Sequence, residues 1–251
     1  MSLALLGALL IGLSLGLLGS GGSILTVPVL VYLLGEAPKQ AIAESLLIVG
    51  GIALLGAVPY ALRRLVDWRN VLLFGLPGMG GTYLGAWLSR FASGEVQLLT
   101  FALVMLLAAY FMARPAPLQG GKPKGRKGWK IVLDGILVGA LTGFVGVGGG
   151  FLIVPALVLL GGLPMHLAVG TSLFIIALKS FAGFYKYLHL LPQYGLSVNY
   201  AVAGLFVLVG TLGSLLGGRL AVRLPQEGLR RGFALFLVVM GAFIVAQSLA
   251  G

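Results

Sequence analysis

The chain has 251 residues, 59% of them hydrophobic and 9% charged, with 41 glycines, no cysteine and a net charge of +11. A soluble domain carries about 25% charged residues, so this composition excludes an ordinary soluble globule and points to a polytopic helical membrane protein. The basic residues sit in short loops between apolar segments, a pattern of membrane orientation that argues against nucleic-acid binding.

In chain order, the first apolar segment lies near 3–18. Its start, "MSLALLGALLIGLSLGLLGS", has neither a basic lead nor a small-residue cleavage site and is expected to remain as the first helix. The cluster Gly19-Ser20-Gly21-Gly22-Ser23 interrupts it. The second segment, 23–35, has only about 12 apolar residues, which at about 1.5 Å per residue cover roughly 18 Å of a hydrocarbon core of about 30 Å. It cannot cross alone. Further segments are predicted near 41–62, 70–90 and 96–113, and then comes the polar linker "RPAPLQGGKPKGRKGWK" over 114–130. Five more segments are predicted near 131–146, 151–162, 167–191, 196–220 and 229–249, with Gly146-Val147-Gly148-Gly149-Gly150 interrupting the first two.

The order of segments repeats because the sequence repeats. A shift of 127 positions aligns Gly19 with Gly146, Pro28 with Pro155, Glu44 with Thr171 and Ser45 with Ser172. A shift of 132 aligns Asp67-Trp68 with Asn199-Tyr200, Gly81 with Gly213 and Glu95 with Glu227. Residues 1–113 and 131–251 therefore read as two transmembrane repeats joined by a cytoplasmic linker.

Charge decides how the short segments run. If the first two segments of each half form a broken or re-entrant hairpin, thirteen Lys and Arg residues share one side and only Lys39 and Arg90 face the other, with Lys179 and Lys186 inside the membrane. If the two form one continuous span, the last four arginines cross over and the bias weakens to nine against six. The positive-inside rule favours the hairpin. Five segments per half then invert the second half relative to the first, a transporter architecture with its site near the midplane. The expected fold is all-α, with two inverted repeats of about five segments each and both termini outside the cytoplasmic membrane.

Broken backbone at membrane depth needs protein or water to satisfy its polar groups. A helix restarting after a glycine cluster offers unpaired N–H groups and the positive end of its dipole, and glycine lets an anion come close. Gly19, Ser20, Gly21, Gly22 and Ser23, with Gly146, Gly148, Gly149 and Gly150, are thus candidate substrate-binding residues. Gly12, Gly16, Gly81, Gly85, Gly139, Gly143, Gly213 and Gly217 read instead as helix-packing positions.

The stretch "GFVGVGGGFLIVPALVLLGGLPMHLAVGTSLFIIA" resembles the signature of the sulfite exporter TauE/SafE family, also called the toluene-sulfonate uptake permease family; "GSGGSILTVPVL" echoes it in the first half. The resemblance implies a secondary transporter of small sulfur-containing anions, such as sulfite or organosulfonates, with proton coupling. The first half departs from the pattern, with "AIAESL" in place of "AVGTSL" and Ser23 in place of the third glycine, so the two halves of the site are not chemically equivalent.

Lys179 lies mid-segment, where an ammonium costs about 2.5–3.5 kcal/mol on insertion scales and is usually functional. Ser172, Lys179 and Lys186, spaced by seven, share one helix face. That face, with Thr171 and Ser45, is expected to line the anion path, while Lys186 snorkels to the interface. Glu44 reads as a partner for Lys179, as a proton carrier, or as an interfacial glutamate stabilised near its helix start. Asp67 is expected to pair with Arg63 and Arg64. The isolated His166 and His189 suggest no metal site, and with no nucleophile–base pair, phosphate loop or HExxH motif, neither an enzyme nor a cofactor is expected. The competing readings are a passive anion channel and a non-transporting membrane subunit. The expected partners are a small anion and the lipid bilayer, and oligomeric state is not readable.

Overall fold

A computed structural model of the chain describes residues 2–88, 91, 94–114, 127–145, 150 and 152–250, and all regular structure among them is helical. In the first half, α1 (Ser2–Leu18) is followed by α2 (Gly22–Pro28), which widens into a π-helical turn over Val29–Leu33. α3 (Pro38–Leu62) comes next, and α4 (Trp68–Asn70) passes through a π turn at Val71–Gly75 into α5 (Leu76–Leu88). α6 (Gly94–Ala113) ends this half. The second half comprises α7 (Gly128–Val145), α8 (Ile153–Pro155) with a π turn at Ala156–Leu160, α9 (Met165–Leu190), α10 (Tyr200–Arg223) and α11 (Gln226–Ala250).

Each wide turn sits beside a proline. Pro28 and Pro155 immediately precede two of them, and Pro77 follows the third. Pro77 lacks the N–H for the ladder and crowds the Leu73 carbonyl inside its turn, which a local i→i+5 bond relieves. α10 has no proline at the matching place and stays α-helical throughout.

The second segment folds back along the first: Gly22 packs on the Ile11 carbonyl and Leu15, and Val29 on Gly7. Residues 22–29 thus lie antiparallel along residues 7–15. The helix pairs then follow the repeat. Gly12 and Gly16 press on the carbonyls of Gly210 and Ser214, while Gly213 and Gly217 press on those of Leu9 and Leu13, so α1 and α10 run parallel, backbone on backbone. At the offsets of 127 and 132 the same contacts recur: Gly139 on Gly78, Gly143 on Thr82, Gly81 on Ile136 and Gly85 on Ala140. A side chain at any of these positions would collide with main chain, so glycine is what permits the approach. At the centre α3 and α9 cross antiparallel, with Tyr60 against Gly170, Gly50 against Ser180 and Leu46 against Gly183. α6 packs on α11 outside them.

Among the described residues three helices, Lys39–Leu62, Met165–His189 and Tyr200–Arg223, are long and apolar enough to cross a membrane. On α10 the buried stripe carries Phe206, Gly210, Gly213, Ser214 and Gly217, whereas Leu208, Leu212, Leu216 and Leu220 face outward and exposed. Small inside and leucine outside suits a helix between protein and lipid.

Candidate functional site

The first glycine cluster does break the helix. Gly19 sits at φ +78°, donates its N–H to the Leu15 carbonyl at 2.8 Å and ends α1 in a left-handed cap. Its carbonyl accepts a hydrogen bond from the Ser172 hydroxyl of α9 at 2.9 Å. A Cβ on Gly19 would come within 2.9 Å of the Val169 Cα and 2.6 Å of the Ser172 Oγ, so both its torsion and its space require glycine. α2 restarts with Gly21 in the capping position and no side-chain cap. Ser20, Gly21, Gly22 and Ser23 are all buried. The Ser23 hydroxyl donates to the Ser20 carbonyl at 3.0 Å, while the Ser20 hydroxyl is enclosed with no partner among the described residues.

Of the second cluster only Gly150 is described; Gly146, Gly148 and Gly149 lie outside the described residues. Gly150 is the repeat counterpart of Ser23, and the two meet: a Cβ on Gly150 would stand 3.0 Å from the Ser23 Oγ and 3.1 Å from the Ile176 side chain. The first break, the end of the second cluster and the Ser172–Ile176 face of α9 therefore share one junction. Ser45, the counterpart of Ser172, is buried and donates to the Ile42 carbonyl at 2.8 Å.

Glu44 and Thr171, matched by the repeat, do the same work in opposite halves. Glu44 Oε1 accepts the backbone N–H of Asn199 at 2.7 Å, and Thr171 Oγ1 accepts that of Asp67 at 2.9 Å. Asn199 and Asp67 each cap the following helix. The Asp67 carboxylate takes the backbone and side-chain N–H groups of Asn70 at 3.1 and 2.9 Å, so helix capping occupies it in place of the expected arginine pairing. Glu44 is fully buried and also accepts from Gln40 Nε2 at 3.0 Å. Sequence reasoning missed its neighbour. The Glu36 carboxyl, in the loop before α3, neighbours that of Glu44, and the Oε2 atom of each is buried without a hydrogen-bond partner among the described residues. One proton between them satisfies both. Burial, hydrogen bonding to Glu44 and the Glu44 charge push the Glu36 carboxyl up to about 8. Glu36 stands in the loop ahead of the helix, so its spacing from Glu44 carries no helical register that would have flagged the pair.

Lys179 is not brought to Glu44. Its ammonium is buried without a hydrogen-bond partner among the described residues and rests against Gly78 of α5. The side chain of Lys186 lies outside the described residues. His166 Nε2 lies 3.0 and 3.2 Å from the carbonyls of Ala221 and Leu224 at the end of α10. No three His, Asp or Glu side chains among the described residues converge as a metal would need.

Against known families, residues 4–244 match the model of the sulfite exporter TauE/SafE family. The chain belongs to the TauE/SafE family. Similar curated proteins bear this out: a probable membrane transporter protein of Xylella fastidiosa is 36% identical over 96% of this chain and 93% of its own length. The probable membrane transporter protein YunE of Bacillus subtilis is 28% identical over 84% of this chain and 83% of its own. A counterpart in Methanocaldococcus jannaschii is 24% identical over 94% of each. No solved structure matches. This TauE/SafE chain is thus an integral membrane transporter and not an enzyme, with its glycine break, α9 and the Glu44 and Thr171 ties at the contact of its halves.

Proposed function

We propose that the protein is a proton-coupled secondary transporter of small sulfur-containing anions, sulfite or an organosulfonate, working by alternating access between two inverted repeats. One observation carries the reading: the Gly19 break is held shut by Ser172 of the opposite half, where Ser23 meets its own repeat counterpart Gly150. An anion entering there replaces the Ser172–Gly19 contact and meets the hydroxyls of Ser20, Ser23 and Ser172 and the unpaired N–H groups that begin α2. In this reading the second glycine cluster, Gly146, Gly148 and Gly149, is the sequence counterpart of the first, and Ser45 is the repeat counterpart of Ser172.

Lys179 supplies countercharge. An unpartnered ammonium inside the bilayer is costly, and an oxyanion passing between α5 and α9 relieves it. The Glu36–Glu44 pair holds the coupling proton, and because Glu44 Oε1 also anchors Asn199, loading that proton bears on the attachment of α10. Inversion of the halves is supported by the parallel α1–α10 and α5–α7 pairs and the antiparallel crossing of α3 with α9. Positive-inside charge then sets the linker in the cytoplasm and both termini outside.

The test is sulfite uptake into proteoliposomes under an imposed proton gradient. Accumulation above the external concentration is expected, and Lys179→Ala and Ser172→Ala should each cut the rate by about tenfold or more, the scale of one lost charge-assisted contact. Flux that only equilibrates points to a passive channel, and no flux from the purified protein points to a non-transporting subunit. Full activity in both variants removes the site assignment.

A further inference from the structure

A cavity of about 160 Å³ opens between the last turns of α3 and α10, lined by Gly56, Tyr60, Arg63, Ser214, Gly218 and Arg219. Three features set it apart from a chance crevice. Ser214 is fully buried, yet its hydroxyl has no partner among the described residues. Its repeat counterpart Thr82 makes the usual bond to the carbonyl one turn back, Gly78, at 2.8 Å. Ser214 instead turns its hydroxyl toward Gly56, into the space that a side chain there would occupy.

The second feature is charge. Arg63 and Arg219 are both exposed at the rim, and neither guanidinium has a carboxylate partner among the described residues. The ends of α3 and α10 contribute roughly half a negative charge each. Two guanidiniums outweigh them and leave the cavity positive by about one charge. The third feature is asymmetry. The repeat places Leu190 opposite Arg63 and Trp87 opposite Arg219, so the paired arginines belong to this end alone and are not a by-product of duplication.

We propose that this cavity is a second anion site, binding a tetrahedral oxyanion between Arg63 and Arg219 with the Ser214 hydroxyl as its buried donor. Arginine forks suit phosphate- and sulfate-like oxygens. The volume is below the roughly 300–1,000 Å³ of pockets for drug-sized ligands, so the occupant is a small free oxyanion or the phosphate headgroup of an anionic lipid. The Tyr60 hydroxyl, spent on the Gly16 carbonyl at 2.8 Å, forms the wall between this site and the Gly19 break. The site stands whether or not the break carries substrate.

Thermal unfolding of the full-length protein in detergent, with inorganic phosphate against chloride at equal ionic strength, tests the free ion; native mass spectrometry with phosphatidylglycerol against phosphatidylcholine tests the headgroup. A native-state ligand raises the midpoint. Stabilisation by phosphate, or selective retention of phosphatidylglycerol, is expected, with apparent affinity about tenfold or more weaker in Arg63→Gln/Arg219→Gln. Ser214→Ala should weaken it several-fold, and it carries the test if the double variant does not fold. Arg223→Gln, which removes a charge from the same end outside the cavity, should leave binding unchanged. No response in either arm, binding that survives the loss of both arginines, or equal weakening by Arg223→Gln overturns the site.

Discussion

Glu36 and Glu44 make the sharpest claim at the level of single residues. The folded chain holds the Glu36 proton up to about 8, whereas an ordinary carboxyl releases it at 4.5. A carboxyl raised on folding favours the native state most at acid pH, and its contribution falls away as the pH climbs through that window. The midpoint of thermal unfolding should therefore drop between about pH 4.5 and 8 in the wild type. In Glu36→Gln this slope should flatten, because an amide keeps a donor for Glu44 without titrating. An unchanged slope would show that the two carboxyls do not share a proton. Glu44→Ala should be worse for stability than Glu36→Ala, since Glu44 Oε1 also accepts the Asn199 N–H and alanine leaves that donor unpaired. Glu44 stood out in the sequence as a rare acid in an apolar run; Glu36 did not, because its loop position made it look solvated.

At the scale of elements, nearly every segment was legible, because length and hydropathy fix where a helix can lie. The predicted 41–62 became Pro38–Leu62 and the predicted 96–113 became Gly94–Ala113. The π turns were not legible: a proline shows that a ladder bond is lost but not whether the helix kinks or widens. The helix-packing glycines were read correctly from their spacing, and they support a graded prediction. Gly213→Leu, aimed at the Leu9 carbonyl, should cost about 3 kcal/mol or more, at the upper end of overpacking penalties. Gly204→Ala on the same helix, where a methyl meets nothing within 4 Å, should stabilise by about 0.5–1 kcal/mol. Thermal midpoints of the two variants check the contrast, and similar losses in both would mean that α10 does not pack on α1 through its glycines.

The whole molecule turns on direction. Sequence offsets reveal a duplication and the charge count favours inverted halves, and contact registers add which helices pair and run parallel. If α1 descends and α2 returns beside it, Ser2 and Lys39 share a side; if the two made one continuous span, they would be opposed. Across the 24 residues of α10, Ser197 and Gln226 must in turn lie on opposite sides. The chain has no cysteine, so single substitutions can be labelled without background. Ser2→Cys, Lys39→Cys and Ser197→Cys should react with a membrane-impermeant maleimide on intact cells, and Gln226→Cys only after permeabilisation. Protection of Lys39→Cys with labelling of Ser2→Cys would unfold the hairpin into a span. It would also move Glu36 to the cytoplasmic face and Arg63, at the far end of α3, to the outer one, reversing the side from which the Glu36–Glu44 pair takes its proton.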